Sequence, residues 1–147
     1  MSKTVRFALI GTGNISGVHA EAIRDIPHAE LVAAYSLAGM NAFCEKWACQ
    51  PADSLEALLA RKDVDAVCIT TPSGMHGEAA IAALNAGKHV LCEKPIDLDI
   101  TRVDALRAKA AAATIKIALG FNRRFDQQFA EIQKRVTAGE IGNLEQV

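Results

Sequence analysis

The segment EKP at 93–95 puts a carboxylate, an amine and a proline in a row, directly after the short apolar run HVLC at 89–92. A buried strand gains nothing from such residues, so they form either a turn or the edge of an active site. At such an edge the Lys94 amine could hydrogen-bond a substrate hydroxyl and help to move its proton. The alternative is a solvated surface lysine ahead of a turn proline, and the residue types alone leave both open.

Two other loops place polar residues after predicted strands, TTPSGMH at 70–76 and GFNRRFD at 120–126. In an open parallel sheet, ligands bind beyond the carboxyl ends of the strands. The three loops are therefore predicted to converge on one ligand site. The side chains considered at this edge are Thr71, Pro72, His76, Glu93, Lys94, Asn122 and Arg123.

Several of these side chains also have a structural interpretation. A lone histidine at a helix start, such as His76, more often caps or packs than binds a ligand. Arg123 could bind a polar substrate or a phosphate, but it could equally pair with Asp126. Glu93 could orient Lys94, hold a ribose or be the buried partner of an arginine.

The stretch ALIGTGNISGVHA at 8–20 matches a phosphate-binding loop between a strand and a helix. Gly11 permits a tight turn, Gly13 lets the backbone approach a pyrophosphate, and the following helix points free N–H groups at the phosphate oxygens. Ser16 replaces the usual third glycine and is still small enough for close strand–helix contact. His19 has no spacing that suggests chemistry and is predicted to be structural. The residues predicted to bind a dinucleotide here are Gly11, Thr12, Gly13, Asn14 and Ile15.

The choice between NAD and NADP depends on the end of the second predicted strand, ELVAAY at 30–35. An acidic residue at that point holds the ribose hydroxyls and repels a 2′-phosphate, whereas a nearby arginine favours NADP. This chain has Ser36 there, which can hydrogen-bond a ribose but carries no charge. The cofactor is therefore predicted to be NAD or NADP, with Ser36 as a contact.

Strand-like and helix-like segments alternate along the chain, which predicts βαβ units and a parallel sheet. Right-handed crossovers put helices on both faces, so the predicted fold class is α/β, a Rossmann-type doubly wound parallel sheet in three αβα layers. The helix at 53–60 is predicted to start with a capping box of Asp53 and Glu56. Predicted strands cover 4–10, 30–35, 65–70, 89–92 and 115–120, with the start of another at 144–147. Predicted helices cover 14–26, 39–49, 53–60, 75–86, 101–113 and 125–138.

Length and composition narrow the class of protein. The 147 residues suffice for one compact domain, and a net charge of −1 argues against the basic surface of a nucleic-acid-binding protein. No apolar run reaches the roughly 18 residues of a membrane span, and the start lacks the features of a signal peptide, so a cytoplasmic protein is expected.

Cys68 and Cys92 fall in predicted strands and are predicted to be core residues. Cys44 and Cys49 lack the second ligand pair of a zinc site, so no metal is predicted.

Four motifs together resemble the amino-terminal half of the glucose–fructose oxidoreductase, inositol dehydrogenase and rhizopine catabolism family (Gfo/Idh/MocA). They are IGTGNISGVHA, DVDAVCITTPSGMH, AGKHVLCEKPIDLD and GFNRRFD, and the likeness covers essentially the whole chain. AGKHVLCEKP is the most specific, and CEKPIDLD with FNRRFD looks most similar to bacterial myo-inositol 2-dehydrogenases. The resemblance implies a Rossmann domain that binds NAD or NADP. It also implies an enzyme that oxidises a secondary alcohol of a sugar or cyclitol, or reduces the ketone.

The same resemblance assigns roles to individual residues. It implies that Lys94 is catalytic, that the peptide bond following it is cis, and that Glu93 lies near the nicotinamide ribose. It places Asn122 and Arg123 near the nicotinamide or the substrate. The cofactor contacts that it implies are Thr71, Pro72, His76, Glu93, Asn122 and Arg123.

Members of this family are about twice as long as this chain, and their second domain carries an Asp and a His that complete the site, most of the substrate pocket and the interface of a homo-oligomer. Residues 1–120 are therefore expected to form the dinucleotide-binding domain, and 121–147 a connecting helix and the first strand of a substrate domain. The chain is expected to bind the cofactor without efficient turnover. Two alternatives are a stand-alone nucleotide-binding module and an interaction domain that has lost cofactor binding.

Overall fold

The computed structural model describes residues 3–145. One parallel sheet carries helices on both faces, which confirms the predicted three-layer Rossmann-type fold. The strands are β1 (Val5–Ile10), β2 (Ala29–Tyr35), β3 (Gln50–Pro51), β4 (Ala66–Ile69), β5 (His89–Cys92) and β6 (Ile117–Leu119). The helices are α1 (Asn14–Asp25), α2 (Asn41–Trp47), α3 (Leu55–Ala60), α4 (His76–Asn85), α5 (Ile100–Ala112) and α6 (Gln127–Thr137). Short 3-10 turns span Ser73–Met75 and Asn122–Phe125.

The six strands lie in the order β3-β2-β1-β4-β5-β6, and every neighbouring pair is parallel. The chain builds outward from β1 to β3, then crosses to the other side of β1 and builds outward again from β4 to β6. The loops after β1 and β4 therefore leave the sheet in opposite directions, and a crevice opens between them. Such a switch point is where sheets of this kind bind ligands.

Two apolar clusters form the core, one on each face of the sheet. One packs α3, α4 and α5 against the sheet and includes the fully buried Leu58 and Ile69. The other packs α1 and α2 against the opposite face and includes Leu9 and Ile23. All four residues of β4 are buried, which explains why its sequence is continuously apolar rather than alternating.

All four cysteines are buried and none forms a disulfide. This confirms Cys68 and Cys92 as core residues. Burial raises the pKa of Cys49, Cys68 and Cys92 to about 12, so these thiols stay protonated at neutral pH.

Among residues 3–145 no three His, Cys, Asp or Glu side chains are grouped to hold a metal ion. In the same part of the chain, no helix has the length and apolar character needed to cross a bilayer.

The edge strand β3, Gln50–Pro51, was not predicted from the sequence. It pairs with β2 over two residues only, one of which is a proline that cannot donate to the ladder. So short a segment has no hydrophobic periodicity of its own and becomes a strand only through its partner.

Residues 144 and 145 of the strand predicted at 144–147 are not in a strand, and the other two lie outside the described residues.

The start of α3 differs from the predicted capping box. The N-cap is Ser54, whose hydroxyl accepts a hydrogen bond from the backbone N–H of Ala57 at 3.0 Å. The prediction that Asp53 starts this helix is therefore wrong by one residue. A serine directly after the aspartate offers the same type of cap, and the sequence pattern does not distinguish between them.

The amphipathic helix predicted at 125–138 forms as α6, capped by Asp126, which accepts hydrogen bonds from two backbone N–H groups of the first turn. Its apolar stripe lies on the surface. Phe125 is 86% exposed, Phe129 49% and Ile132 57%, and no residue of the helix is buried. The sequence period thus identifies the helix correctly, while its apolar face has no counterpart within the described residues.

Candidate cofactor site

The loop after β1 lies against the end of β4 with no space for a side chain. Gly11 has a φ of +100°, and a Cβ atom added to it would lie 2.7 Å from the carbonyl carbon of Thr70 and 2.8 Å from the backbone nitrogen of Thr71. Its N–H donates to the Tyr35 carbonyl at 2.8 Å, and the Thr70 hydroxyl donates to the Gly11 carbonyl at 3.0 Å. Because only glycine combines this φ with so close an approach, Gly11 holds the ends of β1, β2 and β4 together.

The N-terminus of α1 is open to a ligand. Its N-cap, Gly13, has no side chain to satisfy the first-turn N–H groups, and an added Cβ atom would meet no atom within 4 Å. The first turn carries no acidic residue, so the positive end of the helix dipole can attract an anion. Ser16 is fully buried, and its hydroxyl donates to the Gly13 carbonyl. A small residue does pack at this position, as predicted.

A cleft of about 750 Å³ runs from this helix N-terminus across the ends of β1, β2 and β4. Its far wall is apolar and includes Leu37, Leu55, Met75 and Ala79. Flat apolar walls with few polar groups suit an aromatic ring such as adenine. Of the predicted cofactor contacts, the cleft is lined by Gly11, Thr12, Gly13, Asn14, Ile15, Ser36, Thr71 and Pro72.

The loop after β2 forms one rim of the cleft. The Thr12 hydroxyl donates to the Gly39 carbonyl at 2.8 Å, which ties this rim to the phosphate loop. The Ser36 hydroxyl accepts a hydrogen bond from the backbone N–H two residues further on, at 3.2 Å. Within residues 3–145, the charged side chains that line the cleft are Glu56 and Glu78, both acidic. Among the described residues, the cleft therefore offers a bound nucleotide negative charge and hydroxyl groups as hydrogen-bond partners, but no cation.

The turn after β5 carries Lys94 at the same edge of the sheet. Cys92 pairs with Ile69 of β4 and with Leu119 of β6, so the loops that follow these strands leave the sheet at one level. Lys94 is exposed, and the peptide bond following it is cis, as the resemblance implies. A shallow hollow of about 300 Å³ lies between Lys94 and residues 120–124. The structure thus brings Lys94 together with two other predicted contacts, Asn122 and Arg123.

Arg123 forms the ion pair that the sequence allowed. Its guanidinium lies 3.1 Å from a carboxylate oxygen of Asp126 and 5.2 Å from the centre of the Phe129 ring. The side chain nevertheless remains 70% exposed and still lines the hollow beside Lys94. Pairing with Asp126 therefore does not withdraw Arg123 from the predicted site.

His76 does not line the cleft. Its ring is 2% exposed, with Nδ1 2.6 Å from the Pro95 carbonyl oxygen and Nε2 2.7 Å from the Thr71 carbonyl oxygen. The ring ties the loop after β4 to the turn after β5. This geometry favours the packing interpretation of His76 over the predicted contact with the cofactor.

Glu93 meets a histidine rather than an arginine. Its Oε1 lies 2.9 Å from Nε2 of His19 on α1, and its Oε2 accepts the backbone N–H of Lys94 at 3.2 Å. The two side chains are 16% and 17% exposed. They are 74 residues apart in the chain, so no local spacing signalled the pair, and His19 was predicted to be structural.

Comparison with known proteins places the chain in a family. Residues 5–121 match the family model described as an oxidoreductase family with an NAD-binding Rossmann fold (GFO_IDH_MocA). The chain belongs to the Gfo/Idh/MocA oxidoreductase family. Its sheet is thus the NAD-binding Rossmann domain of that family, and the cleft described above lies where such sheets bind dinucleotides.

Individual members of the Gfo/Idh/MocA family match almost the entire chain. Inositol 2-dehydrogenase of Rhizobium meliloti (strain 1021) is 40% identical over 146 residues, which are 98% of this chain and 44% of that protein. Scyllo-inositol 2-dehydrogenase (NAD(+)) of Bacillus subtilis (strain 168) is 33% identical over 97% of this chain and 43% of its own length. The crystal structure of scyllo-inositol dehydrogenase from Lactobacillus casei, with bound NAD(H) and scyllo-inositol, superposes with a TM-score of 0.89 at 36% identity, covering 96% of this chain and 43% of that one. The chain therefore spans less than half the length of these relatives.

Proposed function

We propose that this chain binds NAD or NADP in the cleft and serves a dehydrogenase that acts on a secondary alcohol of a cyclitol or sugar, as myo-inositol 2-dehydrogenases do. The observation that carries the proposal is the uncapped N-terminus of α1 at one end of the cleft, with Gly13 open to an approaching group. The likeness to inositol dehydrogenases supports the choice of alcohol.

In this proposal the diphosphate lies on the backbone N–H groups at the start of α1, between Gly11 and Ile15. The adenine occupies the apolar part of the cleft by Leu37 and Met75, and its ribose lies within reach of Ser36. Thr71 and Pro72 line the path from there toward the turn after β5. The nicotinamide end then lies beside Glu93 and Lys94, with Asn122 and Arg123 across the hollow.

Bound nicotinamide would supply the site that accepts a hydride from the alcohol carbon or returns one to a ketone. The role of Lys94 is to hydrogen-bond the alcohol oxygen and to help to move its proton while the hydride leaves the carbon. The lysine can reach a substrate because its side chain is exposed beside the hollow. Arg123, also exposed, is placed to hydrogen-bond further hydroxyls of a polyol.

We further propose that residues 1–120 are the dinucleotide-binding domain and that 121–147 lead toward a substrate domain. The described residues form only a shallow hollow beside Lys94, and positioning of the reactants can contribute roughly 7–11 kcal/mol to catalysis. The chain by itself is therefore expected to bind the dinucleotide while turning over polyols very slowly.

Calorimetric titration of the purified chain with NAD and with NADP tests the binding step. We expect binding of at least one of them, and heat from neither would reject the proposed function. Production of NADH from myo-inositol or scyllo-inositol, measured by absorbance at the same protein concentration, tests turnover. Rapid NADH production by this chain would contradict the expected separation of binding from catalysis.

A second candidate function is a nucleotide-binding module without a catalytic role. It is favoured by the contrast between a well-formed nucleotide cleft and an exposed Lys94 that makes no hydrogen bond through its amine among residues 3–145. A chimera would distinguish the two candidates. The chain would be joined to the part of Rhizobium meliloti inositol 2-dehydrogenase that follows its matching region. Inositol oxidation by the chimera supports the enzyme, whereas a folded, NAD-binding but inactive chimera supports the module.

A further inference from the structure

We propose that His19 and Glu93 form a positioning pair through which α1, the helix proposed to hold the diphosphate, fixes the turn that carries Lys94. The inference rests on the proposed function, since it concerns the hollow proposed to hold the nicotinamide end of the dinucleotide. It gives a role to His19, for which the sequence offered none.

The contacts join three parts of the fold. The His19 ring extends from the second turn of α1 and places Nε2 2.9 Å from Oε1 of Glu93. The second carboxylate oxygen of Glu93 accepts the backbone N–H of Lys94 at 3.2 Å. The carboxylate therefore bridges the phosphate-loop helix and the backbone of the candidate catalytic residue.

The surroundings of Glu93 confine its carboxylate. A Cβ atom added to Gly120 would lie 3.0 Å from the Glu93 carboxyl carbon and 3.0 Å from Oε1, so only the absence of a side chain at 120 leaves this space. The backbone around it is fixed as well, since the Glu93 N–H donates to the Ile69 carbonyl and the Gly120 N–H to the Cys92 carbonyl, at 3.0 and 2.8 Å. The Glu93 carboxylate thus lies against the backbone of Gly120 and of Lys94. The His19 ring is its third neighbour and contacts Oε1.

The pair is also shielded from water. The side chains of His19 and Glu93 are 17% and 16% exposed, whereas the surface ion pair of Arg24 with Glu21 is 60% and 61% exposed. Exposed pairs contribute little because water competes for both partners, and a shielded contact orients its groups more strongly. The shielded contact between His19 and Glu93 is therefore suited to fix the orientation of the Glu93 carboxylate.

Loss of His19 should affect one end of the cleft only. Without its ring, the Glu93 carboxylate loses the partner of Oε1 and can leave the Lys94 N–H. Neither His19 nor Glu93 lines the cleft proposed to hold the adenosine and the diphosphate. A ligand that spans both ends, NAD, should therefore respond to the substitution, and a ligand confined to the first end, ADP, should not.

The test compares the calorimetric affinities of NAD and ADP in His19→Leu, His19→Gln and wild type. The glutamine amide can still donate to Glu93, whereas leucine cannot. We expect His19→Leu to weaken NAD about tenfold, corresponding to one lost hydrogen bond to a charged group, with ADP changed less than about twofold. His19→Gln should recover most of the NAD affinity, and the exposed control His28→Gln should match wild type for both ligands.

Equal losses for NAD and ADP would assign His19 a merely structural role and overturn the inference, as would unchanged NAD affinity in His19→Leu. If His19→Leu does not fold, His19→Ala carries the same test, because it also removes the ring that contacts Oε1 of Glu93 and should weaken NAD selectively. Failure of wild type to bind either ligand would instead reject the proposed function itself. The two failures are therefore distinguishable in one set of titrations.

Discussion

The proposed dinucleotide site has two ends, the cleft at Gly11 and Gly13 and the hollow beside Lys94, and these are built from different parts of the protein. Around Gly11 and Gly13 the surface is largely backbone and apolar side chains, held by the pairing of β1 with β4. Around Lys94 it consists of exposed side chains on the turns after β5 and β6, and these are followed by α6, which buries no residue. The first end offers a cleft of about 750 Å³, whereas the second offers exposed reactive groups around a hollow of about 300 Å³.

This difference indicates that cofactor affinity and chemistry can be separated in the chain. A backbone cradle for the diphosphate acts whether or not a substrate is present. Lys94 contributes only once an alcohol is positioned next to it. Substitutions at the two ends are therefore expected to fail in different assays, and the following experiments either sharpen this contrast or remove it.

The largest effect is expected for Lys94→Ala in the active chimera described above. Removing the group that helps to move the hydroxyl proton should reduce inositol oxidation about 1,000-fold, within the usual range for general acid–base catalysis. NAD affinity of the original chain, measured by calorimetry, should change less than about threefold, because the exposed amine contacts no part of the diphosphate cradle. A comparable loss of binding would show that the two ends are not separable.

At the other end, Gly11→Val and Gly13→Ala form a matched pair. The valine would bring a branched side chain to a φ of +100° and within 2.7 Å of the Thr70 backbone, so both the melting temperature and NAD binding should fall, the latter on the order of 100-fold. The alanine at 13 meets no protein atom within 4 Å, so the fold should keep its melting temperature while NAD weakens about tenfold through crowding of the diphosphate. Unchanged NAD affinity in Gly13→Ala would place the diphosphate elsewhere.

These two ends also differ in how much of them the sequence revealed. The phosphate loop was predictable because its glycines, strand and helix are contiguous, and the Lys94 turn because three polar or helix-breaking residues follow an apolar run. The His19–Glu93 contact joins residues 74 apart, and the His76–Pro95 contact residues 19 apart. Such contacts depend on how strand ends and helices pack in three dimensions, and a single sequence carries no local signal for them.

The same reasoning explains the smaller errors. Ser54 and Asp53 are adjacent residues of equal capping ability, so only the backbone decides which of them caps α3. The strand Gln50–Pro51 exists because β2 offers it an edge. The exposure of the apolar face of α6 could not be predicted from the helical spacing of its apolar residues. That spacing shows which residues share a face, and it does not show what covers that face.

His76 lies between the two ends, and its removal should lower the stability of both. In His76→Leu, the carbonyls of Thr71 and Pro95 would lose the ring nitrogens that lie 2.7 and 2.6 Å from them, and we expect a cost of about 1–2 kcal/mol in the free energy of unfolding. Urea unfolding measures this, with the exposed His28→Leu as a control for the loss of a histidine. A loss below about 0.5 kcal/mol would show that the ring does not join the two loops.

The two acidic residues that line the cleft, Glu56 and Glu78, should produce a modest preference for NAD over NADP. The pKa of Glu56 is lowered, chiefly by a backbone hydrogen bond and also by the Ser54 hydroxyl, so this carboxylate is ionised at neutral pH and disfavours a 2′-phosphate. Glu56→Gln and Glu78→Gln should each improve NADP binding about threefold at low salt and leave NAD unchanged. Glu45→Gln on α2 serves as an exposed control outside the cleft, and equal gains there would point to net charge rather than position.

The smallest effect on the site is expected at the amino ends of the strands, far from the cleft, where Arg6 binds Asp65. The Arg6 guanidinium donates to both carboxylate oxygens, at 2.9 and 3.0 Å, and holds the pKa of Asp65 well below its usual range. A carboxyl whose pKa is lower in the folded than in the unfolded state stabilises the fold above the unfolded value near 4, and this contribution is lost as the pH falls toward the folded value. Asp65→Asn should therefore lower the melting temperature by a few degrees at pH 7, with the difference from wild type shrinking below about pH 3.

NAD affinity of Asp65→Asn at pH 7 should equal that of wild type, because the pair lies at the amino ends of β1 and β4 and the cleft at their carboxyl ends. Calorimetry well below the melting temperature checks this. Lost affinity in a variant that is still folded would mean that the sheet transmits strain from one edge to the other. The contrast between the two ends of the cleft would then have to be explained by the stability of the sheet as a whole, and not by the local chemistry of each end.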